Sequence, residues 1–188
     1  MSTLSNGLTI ASNENHSPVT TLGVVIKAGS RNESYDSAGV SHALQVASGL
    51  ATKKNTAFGM VRNLQQVGGS MSFTLGREHT LYAVQTTGDV SDIGLEYLTD
   101  SVSNSVYKPW EVQRTIPRMK LELATRSPAT QAMELLHEAA FRSGLGNSLY
   151  CPSSKVGSHA TAAINQFNYL WYGSPKEPES NQLALLLK

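Results

Sequence analysis

At 188 residues the chain has the length of one ordinary domain. Its 15 Lys+Arg nearly balance its 14 Asp+Glu, and no long basic or acidic run occurs, which argues against nucleic acid or an anionic membrane surface as a partner. A hydrophobic content of 40% with 15% charged residues fits a globular chain, not a disordered or fibrous one. A single cysteine, Cys151, cannot form an internal disulfide. No apolar run is long enough to span a bilayer. The opening MSTLSNGLTI has neither an arginine-rich amphipathic leader nor a secretory apolar region, so no targeting signal is visible.

Leu8 and Ile10, followed by turn formers, predict a short strand. Leu22, Val24, Val25 and Ile26 before Gly29 predict a mostly buried strand. RNESYDSAG reads as a polar loop, with Asp36 or Ser37 placed to cap a helix. Val40, Ala43, Leu44, Val46, Ala47 and Leu50 recur at helical spacing. Phe58, Val61, Leu64 and Val67 repeat that pattern up to a Gly68-Gly69 stop. Alternation of Met71, Phe73 and Leu75, a turn at 76–78, then Leu81, Ala83 and Val84 predict an antiparallel hairpin.

Val90, Ile93, Leu95, Leu98 and Val102 predict another helix. From Lys108 to about Gly144 two helices or one kinked helix are expected. Pro117 removes an internal hydrogen bond, and Pro128 restarts the helix after a Ser127 cap. Met133, Leu136, Ala140 and Phe141 share one face of the second part. A short helix follows Ser158. Paired strands with helices between them make the class α+β with a mainly antiparallel sheet and helices packed on one side. The composition changes near Asn168, and two prolines lie among polar residues between Ser174 and Asn181. A domain over 1–167 and a divergent, disordered tail over 168–188 are therefore expected.

The chemistry-bearing candidate is the helix GVSHALQVASGL. In an inverted zinc motif, H-x-x-E-H, one turn of helix sets two histidines on one face as ligands, and the glutamate between them takes a proton from zinc-bound water. Here His42 fills the first position, but Gln45 stands where the base would be and Val46 where the second ligand would be. An amide has essentially no basicity near neutral pH, and valine has no lone pair. A lone helix histidine is ordinarily a partnered structural residue. Its context is more specific.

The segments SNGLTIASNENHSPV, IKAGSRNES, GVSHALQVAS, ATKK, VGGSMSFTLGRE and ELLHEAAFRSGLGNSLYCPSSKVG together resemble the pitrilysin-type (M16) metallopeptidases. Within them the chain is similar to the mitochondrial branch, the processing-peptidase subunits and the core proteins of the cytochrome bc1 complex. The resemblance covers roughly Leu4 to Phe167 and implies a metallopeptidase-like half-domain, incomplete at its C-terminus because the strand that follows in the family is not recognised. It implies a third metal ligand on the long helix. Counting back from LHEAAF, that position falls near Lys120, with Glu122 as a candidate outside the register. With His42 alone retained, and Gln45, Val46 and Lys120 in the other three places, the resemblance implies no metal, no cofactor and no catalysis.

It implies instead a non-catalytic structural subunit on the matrix side of the mitochondrial inner membrane. Its partners would be a core protein 1-like subunit and the other bc1 subunits. The alternatives are a zinc endopeptidase, the non-catalytic partner of a processing peptidase, or a truncated isoform with no role in the complex. No C-x-x-C-H haem motif is present. His16, His79, His137 and His159 lack partners at metal spacing. Asp92, Glu96 and Asp100, four apart, are expected to form a solvated acidic face. Trp110 is expected to pack at the start of the long helix.

Overall fold

The computed structural model describes residues 1–5, 7–14, 16–158, 161–172 and 184–187. The strands are β1 (Ser2–Thr3), β2 (Thr9–Ser12), β3 (Val19–Ile26), β4 (Ser70–Leu75), β5 (Thr80–Thr87) and β6 (Ala184–Leu187). The helices are α1 (Val40–Ala47), α2 (Ala57–Gln66), α3 (Ser91–Ser103), α4 (Pro109–Ala124), α5 (Pro128–Ala140) and α6 (Thr161–Tyr172). One sheet runs in the order β1-β2-β6-β3-β5-β4, antiparallel throughout except for the β2–β6 pair. The class is α+β, as expected.

The core lies between the sheet and its helices. Leu22, Val24 and Ile26 of β3 and Tyr82 and Val84 of β5 meet Val40 and Leu44 of α1, Leu98 of α3, Met119 of α4, and Ile164 and Phe167 of α6. In β5 the buried set is Thr80, Tyr82, Val84 and Thr86, and Leu81 and Ala83 are only half-buried, so of the residues read from the sequence Val84 is the one that faces the helices. Both sets carry apolar side chains, so alternation alone does not say which faces the helices. The register Val24↔Tyr82↔Phe73 decides it, because Tyr82 fits under α1 with its hydroxyl against the Ser48 hydroxyl at 3.2 Å.

The chain between Lys108 and Ala140 forms two helices, and Pro117 lies inside the first. Ser127 caps the second by accepting from the Thr130 amide at 3.1 Å. None of α5 is buried. Met133, Leu135 and Leu136 are each more than half exposed. Trp110 is also largely exposed, with the Lys108 ammonium 5.8 Å over its ring, instead of packing into the helix start.

The acidic row on α3 divides. Asp92 and Glu96 are exposed, but Asp100 is 3% exposed and belongs to no solvated face. Its carboxylate accepts from the Thr52 hydroxyl, from Asn55 Nδ2 at 3.1 Å and from Asn104 Nδ2 at 3.0 Å. These bonds tie the α1–α2 connection to α3, and with the Lys54 charge they hold the Asp100 carboxyl below its usual range although burial opposes them. Spacing along a helix shows which side chains are neighbours, not what packs opposite them. Asp100→Ala would leave the Asn55 and Asn104 amides short of an acceptor and the Thr52 hydroxyl with only the Asn55 carbonyl, and should cost about 1–3 kcal/mol in chemical denaturation.

The end of the chain differs from expectation. Helix α6 runs through Asn168 to Tyr172 without a break at Phe167, and Asn168 donates to the Tyr107 hydroxyl at 2.8 Å. Strand β6, which the sequence reading does not recognise, lies between β2 and β3. Four apolar residues have no pattern that foretells a pairing partner some 175 positions away. The stretch from Ser174 to Asn181, expected to be unstructured, and His159 lie outside the described residues.

Candidate functional site

His42 lies on α1, a helix buried nearly all round. Asp36 and Ser37 do not cap it. The Glu33 carboxylate does, accepting from the Gly39 amide at 2.7 Å, from the Ser41 amide at 2.8 Å and from the Ser41 hydroxyl. Gly39 precedes the helix at φ +89°, in the left-handed region. A β-carbon there would sit 2.6 Å from the Cys151 α-carbon, so the contact between α1 and the 150–151 segment needs glycine on both counts.

The His42 ring is 1% exposed and both of its nitrogens are engaged. Nδ1 accepts from the Cys151 amide at 3.3 Å. In a neutral imidazole Nε2 then carries the proton, and it donates to Glu122 Oε2 at 3.0 Å. The other Glu122 oxygen accepts from Arg118 Nε at 3.0 Å. Tyr150 stands edge-on to the imidazole at 5.5 Å, and the Arg126 guanidinium lies 5.0 Å over the Tyr150 ring. His42 thus joins α1, α4 and the 150–151 segment.

Glu122, not Lys120, is the α4 residue that faces His42. Lys120 is exposed. Thr115 and Met119 mark the buried stripe of α4, and one further step of three reaches Glu122, whereas Lys120 lies about 100° off it. That stripe was visible in the sequence. Counting back from LHEAAF missed it because the count crosses the helix break between α4 and α5.

The other two positions have become packing. Gln45 Nε2 donates to the Phe73 carbonyl oxygen at 3.3 Å, joining α1 to β4. Val46 is 2% exposed and lies in the core.

The family model for insulinase (peptidase family M16) matches residues 9–153. The chain belongs to the M16 family. It is 40% identical over 167 residues to cytochrome b-c1 complex subunit 2, mitochondrial, of Homo sapiens, covering 87% of this chain and 37% of that protein. The Rattus norvegicus counterpart is 37% identical over 166 residues, with the same coverage. The probable mitochondrial-processing peptidase subunit alpha-1 of Arabidopsis thaliana is 31% identical over 158 residues, covering 83% of this chain and 31% of that protein. The chain therefore spans about a third of the length of these relatives.

The M16 fold implies a catalytic metal, and the residues here do not fit one. Zinc needs three protein ligands and an open position. His42 and Glu122 are two candidates, and Val46 supplies nothing. Among the described residues no group of three His, Cys, Asp or Glu side chains is placed to hold a metal. The tautomer adds a second obstacle. A metal on Nε2 requires the proton to move to Nδ1, where it would meet the Cys151 N–H, a donor facing a donor.

Burial lowers the His42 pKa below its ordinary 6.5, with Glu122 opposing and the Arg118 and Arg126 charges assisting. As the pH falls, the unfolded chain takes up this proton before the folded one. The stabilising contribution of neutral His42 is thus complete above pH 6.5 and declines as the pH drops below it. Glu33 acts in the opposite sense. Burial raises its pKa above 4.5, and the hydrogen bonds from Ser41 and Gly39 only partly offset that. Its contribution therefore falls as the pH rises through the interval above 4.5.

Glu122→Gln keeps an acceptor for Nε2 but removes the charge, so NMR titration of the His42 ring should show a lower pKa than in the parent chain. Glu122→Ala leaves the Nε2 proton unpartnered and should cost about 1–2 kcal/mol at pH 7 by denaturant titration.

Proposed function

We propose that the chain is a non-catalytic M16 half-domain that serves as structural material of the core-protein-2 type in the mitochondrial ubiquinol–cytochrome c reductase complex. It would support respiratory electron transport without taking part in it chemically. The observation that carries the reading is the conversion of the H-x-x-E-H helix: Gln45 is spent on the Phe73 carbonyl and Val46 is sealed in the core. The 40% identity to a b-c1 subunit 2 over 87% of the chain supports the assignment to that branch. The location would be the matrix side of the inner membrane, and the partners a core protein 1-like subunit and its neighbours in the complex. No helix among the described residues is long and apolar enough to cross a membrane. Residues 1–167 would be the family portion and 168–188 a divergent ending.

The similarity to processing-peptidase alpha subunits favours a second reading, a substrate-holding partner beside an active subunit. Native gels of mitochondrial membranes carrying the tagged chain separate the two. Co-migration with the bc1 complex is expected. Migration with a processing-peptidase dimer would favour the second reading, and migration as the free chain alone would contradict both.

A further inference from the structure

We infer that the sheet contains a strand-acceptor slot between β2 and β3, filled by Ala184–Leu187 of the same chain, and that this strand clasps the N-terminal hairpin to the domain. The inference does not rest on the function proposed above. Strand β2 is bonded on one side to β1, which has only two residues, both exposed. On its other side it is bonded to β6. A hairpin of two plus four residues is not stable alone in water.

The paired rows are Thr9–Ala184–Val25, Ile10–Leu185–Val24, Ala11–Leu186–Gly23 and Ser12–Leu187–Leu22. With β6 between them, β2 and β3 are two strand spacings apart, about 9.6 Å, too far for any backbone hydrogen bond. The ladder that holds the hairpin to the sheet therefore runs through β6. Strand β3 is independent of it, because β3 pairs with β5 along its whole length from Val19 to Ile26. Removing β6 would leave two facing free edges, Thr9–Ser12 and Leu22–Val25, which define an acceptor for one extended segment. Such edges take up strands by main-chain bonding. The occupant sequence, Ala-Leu-Leu-Leu, is uncharged and free of proline and glycine, as a strand bonded on both sides requires. It joins segments some 175 residues apart, so the loop it closes is among the longest the chain can form.

Native-state hydrogen exchange on the intact chain at low denaturant tests the clasp. Amides of 9–12 and 184–187 should exchange through one shared opening, while Tyr82 and Val84 exchange only with global unfolding. Leu185→Pro in the full-length chain removes a ladder donor from the middle of β6. It should abolish protection at 9–12 and leave that of Tyr82 and Val84. A synthetic peptide of residues 182–188 added to that variant should restore protection at 9–12. Stronger protection at 9–12 than at 184–187, retained protection in Leu185→Pro, or no rescue by the peptide would overturn the inference. If the variant does not fold, the exchange pattern of the unaltered chain decides.

Discussion

Rebuilding the local motif with Gln45→Glu and Val46→His is expected to lower the unfolding free energy by about 4 kcal/mol and to produce no peptidase. Val46 is 2% exposed within the core. Histidine there overfills a close-packed site, at about 1–3 kcal/mol, and brings a polar ring without a partner, at about 1–3 kcal/mol. The Gln45→Glu change would replace an amide that donates to the Phe73 carbonyl with a carboxylate facing the same oxygen. The proton on His42 Nε2 would still point at Glu122. Total stability of a domain is about 5–15 kcal/mol, so the loss should be plain in a urea titration. A double variant as stable as its parent would show that the helix keeps room for a metal centre.

Gly39→Ala should cost about 3 kcal/mol. Its φ of +89° disfavours a side chain, at about 1–2 kcal/mol. The added carbon meets the α-carbon, β-carbon and sulfur of Cys151 at 2.6–2.7 Å, and backbone must move to relieve it. The displaced segment carries the Cys151 amide that fixes the His42 tautomer. The effect should therefore appear both in the denaturation midpoint and as a shifted His42 ring resonance. A lowered midpoint with an unchanged ring resonance would mean that the 150–151 segment does not position the imidazole.

What the sequence revealed follows the reach of each signal. Helix α1, the β4–β5 hairpin and the Ser127 cap are written in short-range spacing, and the structure has them in place. The degeneracy at Gln45 and Val46 was legible because it depends on residue identity alone. Features that depend on what lies opposite were not. Asp100 shares the spacing of its exposed neighbours Asp92 and Glu96, but the 52–55 loop covers it. Glu33 reaches the α1 N-terminus from outside the positions a local capping rule examines. The inward face of β5 was ambiguous because both faces are apolar. Glu122 was an intermediate case: its stripe with Thr115 and Met119 is written in the sequence, but an alignment carried across a helix break pointed to Lys120 instead.

Helix α1 keeps one metallopeptidase position, His42, and uses the others for packing. The most direct measurement is zinc content of the purified, chelator-washed chain after zinc reloading, taken with cleavage of presequence peptides by the same sample. Zinc well below one equivalent and no cleavage are expected, because His42 and Glu122 are two ligands spent on each other and Gln45 is no base. One zinc per chain held through the wash, with cleavage that a chelator abolishes, would contradict this.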